Sequence, residues 1–259
     1  MSDIHPTAIV APEAKLHPTV TVGPYAIIES GAEIGADSII ESHARVYGFT
    51  KMGKANRVCH GATIGSEPQD MAYTTENAKR LYIGDNNVFR EKSDVSHGIK
   101  EEHGTIIGSN NYFMVATHVG HDCILGDNNI FANTATLAGH VELGSNVYVS
   151  GHTGIHQFCK VGSLAMVSAH SVVTQDVPPY VLVDGHRAQI VGLNVVGLRR
   201  AGLDAGARSE IKKAYKTIYK SDLRLLEALE ELKANSPSKT VQNIIDFIGG
   251  STRGLVSHR

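Results

Sequence analysis

The sequence predicts a mainly β chain: a parallel β-helix of hexapeptide repeats with a small C-terminal α-helical domain. Three observations predict it: a six-residue aliphatic period, small residues at fixed places within that period, and a late change to helical spacing. The aliphatic series runs Ile4, Val10, Leu16, Val22, Ile28, Ile34, Ile40, Val46, Met52, Val58 and Ile64 without a miss. It lapses, resumes at Ile83, Phe89 and Val95, and skips Glu101. It then continues from Ile107 through Phe113, Val119, Leu125, Phe131, Leu137, Leu143, Val149, Ile155, Val161 and Val167 to Val173. A period of six is neither the 3.6 of a helix nor the alternation of a strand, so each hexad is read as one short strand and a turn. Three hexads per coil make a triangular prism, in which residues 18 apart stack about 4.8 Å apart along the axis.

Within the hexads, the residue after the aliphatic one is often Gly (Gly35, Gly53, Gly84, Gly108, Gly126, Gly144), which suits a tight corner. The fifth place is small or β-branched (Ala26, Ala62, Thr117, Cys123, Ala135, Cys159), as a narrow core requires. Residues 70–82 break the phase and should loop out. A second loop is expected near 99–105, where Glu101 stands in an aliphatic place. Solenoid insertions tend to sit on the binding face. Pro178 and Pro179 cannot donate to a continuing ladder, so the coil should stop there. From Asp204 the spacing turns helical, with Ile211, Ala214, Tyr215 and Ile218, then Leu225, Leu226, Leu229 and Leu232, then Val241, Ile244, Ile245 and Ile248: three short helices. The expected division is a β-helix over 1–193 and a helical domain over 194–259.

A net charge of −2 over 259 residues and the lack of a basic block give no reason to expect nucleic acid as a partner. No apolar run approaches the roughly 20 residues of a membrane span, and the N-terminus lacks a signal pattern, so no transmembrane segment and a cytoplasmic location are expected. Cys59, Cys123 and Cys159 have no metal-ligand spacing and are odd in number, which argues for reduced, structural thiols. Arg208, Lys212, Lys216 and Lys220 make a basic stripe, either a solvated face or a surface that steers an acidic protein.

Fourteen histidines is the unusual count, and several lie inside the repeat. By the stacking rule His121 meets Gly139, and Asp122 meets His140, at one corner of successive coils. A histidine beside a carboxylate is the pairing for general-base work, because the anion favours the imidazolium that forms. Gly139 adds a bare N–H, a candidate oxyanion donor. His152 and His170 are also 18 apart, and His156 with Gln157 forms another polar corner. Zinc is the competing use of clustered histidines. His118 and His121, three apart on an extended chain, should point to opposite sides, which favours proton transfer over metal.

Gly120-His121-Asp122-Cys123, Leu137-Ala138-Gly139-His140-Val141, His156-Gln157-Phe158-Cys159, Gln175-Asp176-Val177-Pro178-Pro179-Tyr180 and Ser251-Thr252-Arg253-Gly254-Leu255, in this order and spacing, resemble the UDP-N-acetylglucosamine O-acyltransferase family end to end. The resemblance implies a left-handed coil, a homotrimer with sites between neighbouring prisms, and no metal or organic cofactor. It implies a 3-hydroxyacyl group delivered on acyl carrier protein to a UDP-amino sugar, in the first acylation of lipid A synthesis. On it, His121 is the general base, Asp122 orients it, and the Gly139 N–H holds the oxyanion. Substrate contacts carry over onto Gln69, Asp70, His118, His140, His156, Gln157, Asn194 and Arg200, and the place that limits acyl length onto Ala169 and His170. The acidic carrier protein would give the basic stripe a partner.

Ala72 and Val196 stand where many family members have a lysine and a glutamate, and Ser96 with His97 replaces a familiar histidine. These departures raise a 3-amino acceptor as an alternative to the 3-hydroxyl sugar. The rival readings are another hexapeptide-repeat sugar N-acyltransferase or acetyltransferase, and a non-enzymatic β-solenoid that binds or scaffolds.

Overall fold

The computed structural model describes residues 3–259; the first two residues of the expected 1–193 unit lie outside it. Short strands alternate with turns to make three parallel faces. The first runs from Asp3–Ile4, the second from Ile9–Val10 and the third from Lys15–Leu16, with eleven, nine and eight strands respectively. The 18-residue register holds along uninterrupted coils, as in His118↔Thr136, Thr136↔Gly154 and Gly154↔Val172.

The periodic aliphatic residues turn inward. Phe89, Phe113 and Phe131 stack in a column at 4.9 and 4.7 Å, and Val119, Leu137 and Val167 are likewise buried. The small fifth-place residues Ala26, Ala62, Cys123, Ala135 and Cys159 fill the corners. Burial pushes the Cys123 thiol up to about 12 and that of Cys159 to about 11, so both are inert thiols. On the edge between the third and first faces, the fifth place is instead a buried asparagine ladder. Asn56, Asn87 and Asn111 each accept the N–H of the asparagine one coil on, at 2.8–2.9 Å. Each carboxamide satisfies a backbone donor that the turn would otherwise strand in the core.

The corner glycines serve close approach, not left-handed backbone. Added methyls on Gly35, Gly108 and Gly126 would sit 2.6–2.9 Å from the glycine of the next coil. The positive φ falls two residues later, on non-glycines such as Asn110, Asp122, Asn128 and Asn146.

Two further expectations change. The ladder does not stop at Pro178–Pro179. Val181–Asp184 pairs in parallel with Met166–Val167 and turns back antiparallel along Gln189–Leu193, because both prolines fall in the turn, outside the strand that follows. Four helices follow instead of three: α1 Val195–Arg200, α2 Ala205–Lys220, α3 Leu225–Ala234 and α4 Lys239–Gly249. α1 is too short to show a period and is started by Asn194, whose side chain caps Gly197 N–H at 3.0 Å. The helices share a core of Leu198, Ile211, Ile218, Leu229, Ile244 and Ile248 with Tyr180 of the prism. No described helix is long and apolar enough to cross a membrane.

Candidate active site

The edge between the second and third faces carries the groups that the 18-residue rule pairs. Asp122 takes the left-handed turn position with φ 58°, its carboxylate buried while the neighbouring His121 lines the groove. His121 Nδ1–H donates to Asp122 Oδ2 at 2.8 Å, and the Asp122 side chain is fully buried. The two loops expected to protrude fold over this pair. Ile99, Lys100 and Glu101 all point their N–H groups at the Asp122 carboxylate, at 3.1–3.3 Å. Burial opposes the charge on Asp122, but the hydrogen bond from His121 and these amides outweigh it and hold the carboxyl down at about 2. From the other loop, Asp70 places Oδ2 at 3.6 Å from His121 Nε2, braced by Ala72 N–H at 2.8 Å and Lys100 Nζ at 3.4 Å. Those braces, the Ala72 amide first, keep its carboxyl below the usual range.

His140 sits above, edge-on to His121 at 5.1 Å and stacked on Phe158 at 4.5 Å. Burial lowers its pKa against the pull of Asp122, which favours a neutral ring. Three glycines keep the site open. A methyl on Gly139 would lie 2.7 Å from His121 Nε2, one on Gly120 would lie 2.8 Å from the Gly139 nitrogen, and one on Gly98 would lie 2.8 Å from Asp122 Oδ1. Gly98 and Gly120 were not picked out as site residues from the sequence; only the inter-coil distances expose their role.

His121 Nε2 opens onto a groove of about 730 Å³ across the second face. Gln69, Asp70, His118, Gly139, His156 and Gln157 line it with His121. The expectation that His118 and His121 point to opposite sides therefore fails: the chain bends at the corner between them, and strand alternation does not carry around a turn. Among the described residues, His121, Asp122 and His140 are the one group spaced for a metal ion. Its shortest separation, 2.8 Å, is a hydrogen bond and is tighter than the roughly 3.3 Å between neighbouring ligand atoms of a tetrahedral zinc site.

Not every expected residue gathers here. Asn194 and Arg200 line a second groove of about 600 Å³ with Ile130, Tyr148, Met166 and Val196, on the first face. Ala169 and His170 are exposed at the edge between the first and second faces, just before Val172 at the far end of the His121 groove. The tail returns to the prism: Ser251 Oγ donates to Asp176 at 2.6 Å, and Arg253 Nη2 lies 3.2 Å from His156 Nδ1. Arg253 is thus a site neighbour that the sequence marked only as part of a motif.

A family model described as UDP N-acetylglucosamine O-acyltransferase, domain 2, matches residues 176–256. Two proteins named acyl-(acyl-carrier-protein)–UDP-N-acetylglucosamine O-acyltransferase cover nearly the whole chain. That of Syntrophobacter fumaroxidans is 40% identical over 98% of this chain and 99% of its own length, and that of an Anaeromyxobacter species 43% identical over 97% and 98%. The chain belongs to the UDP-N-acetylglucosamine O-acyltransferase family. As a family member it is an acyltransferase, and its fold is the family's left-handed parallel β-helix. The UDP-N-acetylglucosamine acyltransferase from Campylobacter jejuni superimposes with a TM-score of 0.93 at 38% identity, over 99% of this chain and all of that one. A structure from Acinetobacter baumannii does so at 0.94 and 41%, over 98% of this chain and 99% of that one.

Proposed function

We propose that this acyltransferase moves a 3-hydroxyacyl group from acyl carrier protein to the 3-position of UDP-N-acetylglucosamine, the first acylation of lipid A synthesis, by direct attack. The observation that carries the reading is His121, tied through Nδ1 to a buried, ionised Asp122 and presenting Nε2 to the groove. His121 Nε2 takes the proton of the acceptor 3-hydroxyl as its oxygen bonds to the thioester carbonyl carbon. The carbonyl oxygen gains charge against the Gly139 N–H, which no acceptor among the described residues engages and which Gly120 leaves uncovered. Collapse breaks the carbon–sulfur bond, and the proton passes from His121 to the leaving thiolate. Asp122 stays ionised throughout and stabilises the transient imidazolium.

The groove floor supports an orientation. Outward residues pass from Asp94 and His118 to Thr136, Gly154 and Val172, so a polar acceptor suits the lower rungs and an acyl chain the smaller, more apolar upper ones, toward Ala169 and His170. The faces support self-association. The third face carries the ion pairs Lys15–Glu33, Lys51–Glu33 and Lys160–Glu142, whereas the first presents Tyr112, Ile130, Tyr148 and Met166. Packing the first face of one copy on the second face of the next closes a homotrimer, brings Asn194 and Arg200 opposite His121, and covers the apolar stripe. Lys212, Lys216 and Lys220 are exposed on α2 and form no ion pair among the described residues, which suits an acidic carrier protein.

Ala72, exposed in the loop beside Asp70, removes a cation from the groove rim and supports acceptance of the 3-amino sugar, giving an amide in place of an ester. Mass spectrometry of products from both acceptors with a panel of acyl carrier proteins tests the assignment. Transfer from no acyl carrier protein would sink it, and no turnover of the amino sugar would remove that second acceptor.

A further inference from the structure

A second histidine–carboxylate pair stands in the same groove. Asp94 and His118 are register partners on adjacent strands of the second face. His118 Nδ1–H donates to Asp94 Oδ2 at 2.8 Å, and Thr63 Oγ1, one coil below, donates to Asp94 Oδ1 at 2.6 Å. Both side chains are about three-quarters covered. Burial opposes the Asp94 charge, but the hydrogen bonds from His118, Thr63 and Ser66 prevail and keep its carboxyl below the ordinary range. The three side chains form a hydrogen-bonded line across the rungs, and with Nδ1 engaged the ring has only Nε2 left for a ligand.

We propose that Asp94 is a positioning residue: by accepting the His118 Nδ1–H it fixes that ring's tautomer and orientation, so that Nε2 meets the sugar nucleotide at the polar end of the groove. This rests on the groove being the acyl-transfer site. The geometry separates the two pairs by task. His121 is backed by a fully buried carboxylate and stands against the Gly139 amide, where a proton must move. His118 lies on the flat of the face, backed by a partly exposed carboxylate. Such a ring grips the ground state and the transition state alike, and its loss is read in KM.

The test uses the full chain carrying Asp94→Ala, Asp94→Asn, His118→Ala and the Asp94→Ala/His118→Ala pair, with the His118 ring nitrogens followed by long-range proton–nitrogen NMR. Expected are an acceptor KM raised about 10-fold by Asp94→Ala, the low end of the effect known where a carboxylate orients a metal-ligating histidine, and kcat within about twofold. His118 should also lose its fixed Nδ1–H tautomer, and the double variant should be no worse than His118→Ala. The Asn variant keeps the side-chain shape and carries the test if the Ala variant does not fold. Unchanged KM and tautomer on loss of Asp94, or losses that simply add, would overturn the proposal. Full activity in both His118→Ala and His121→Ala would instead sink the assignment of the groove.

Discussion

His140 and His152 occupy the same step of the turn on different edges of the prism, with φ of 61° and 56°, each preceded by a glycine. Each also has a partner one coil away: His140 meets the backbone and ring of His121, and His152 stacks flat on His170 at 5.0 Å. Around the His140–His121 contact lie the buried Asp122 carboxylate, the three loop amides that bind it and, on the His121 side, Asp70 of a second loop. His152 has no carboxylate partner among the described residues: besides the His170 ring, its side chain meets the Thr134 hydroxyl at 2.7 Å, and it is exposed. The coil therefore brings two imidazoles together at both of these edges, and chemistry arises where the two insertions fold down and desolvate one of them. A desolvated, paired carboxylate acts on an imidazole far more strongly than a solvated hydroxyl does.

The largest contrast should come from removing one imidazole at each edge. His121→Ala is expected to lower kcat by about 100-fold or more, the worth of a general base, with unchanged circular dichroism. His152→Ala should leave kcat within about twofold, since that ring does not line the groove and reaches only the His170 ring at its far end, away from the reacting atoms. Equal losses would erase the distinction between the edges.

The preceding glycines sharpen it. A methyl at Gly139 would strike the His121 ring at 2.7 Å, whereas one at Gly151 meets only the Asn133 carbonyl at 3.3 Å. Gly139→Ala should cost roughly 10- to 100-fold in kcat, the scale for a misplaced reacting group, and Gly151→Ala little, as measured by steady-state kinetics.

Asp122 links the site to stability. Its folded pKa of about 2 lies below the ordinary 3.8, so its ionised form stabilises the fold above pH 4, and that contribution is lost as the pH falls toward 2. Asp122→Asn should thus cost about 2 kcal/mol at pH 7, read by urea denaturation, with the gap to the parent narrowing as the pH is lowered through 3. A gap independent of pH would mean that packing, not charge, anchors the loops.

The smallest effect is expected at the rim. Lys100 is half exposed and 3.4 Å from Asp70, so Lys100→Ala should change stability by less than about 1 kcal/mol and turnover by only a few-fold. A collapse of activity there would make the second loop a reacting element instead of a brace.

Much of the fold was legible because the repeat is written directly in the chain: an inward aliphatic every six residues makes a three-sided coil, though not its hand, and an 18-residue coil puts His121 by Gly139 and Asp122 by His140. The helices α2 to α4 were legible for the same reason, while α1 and the Val181–Leu193 hairpin were too short to show a period. The shared groove of His118 and His121 was misread, since a flat-strand rule was carried round a corner. Asp94 went unnoticed because its partner lies 24 residues away, across a coil lengthened by the second loop.

What the sequence determined by itself was therefore the periodic part: the prism, its core and the pairing of groups from coil to coil, all consequences of local spacing. The tertiary structure alone decided which edge became a site. That depends on where two aperiodic loops come to rest, how many amides reach one carboxylate, and whether a ring is dry or wet. Those are long-range contacts and desolvation, which no short window of residues encodes.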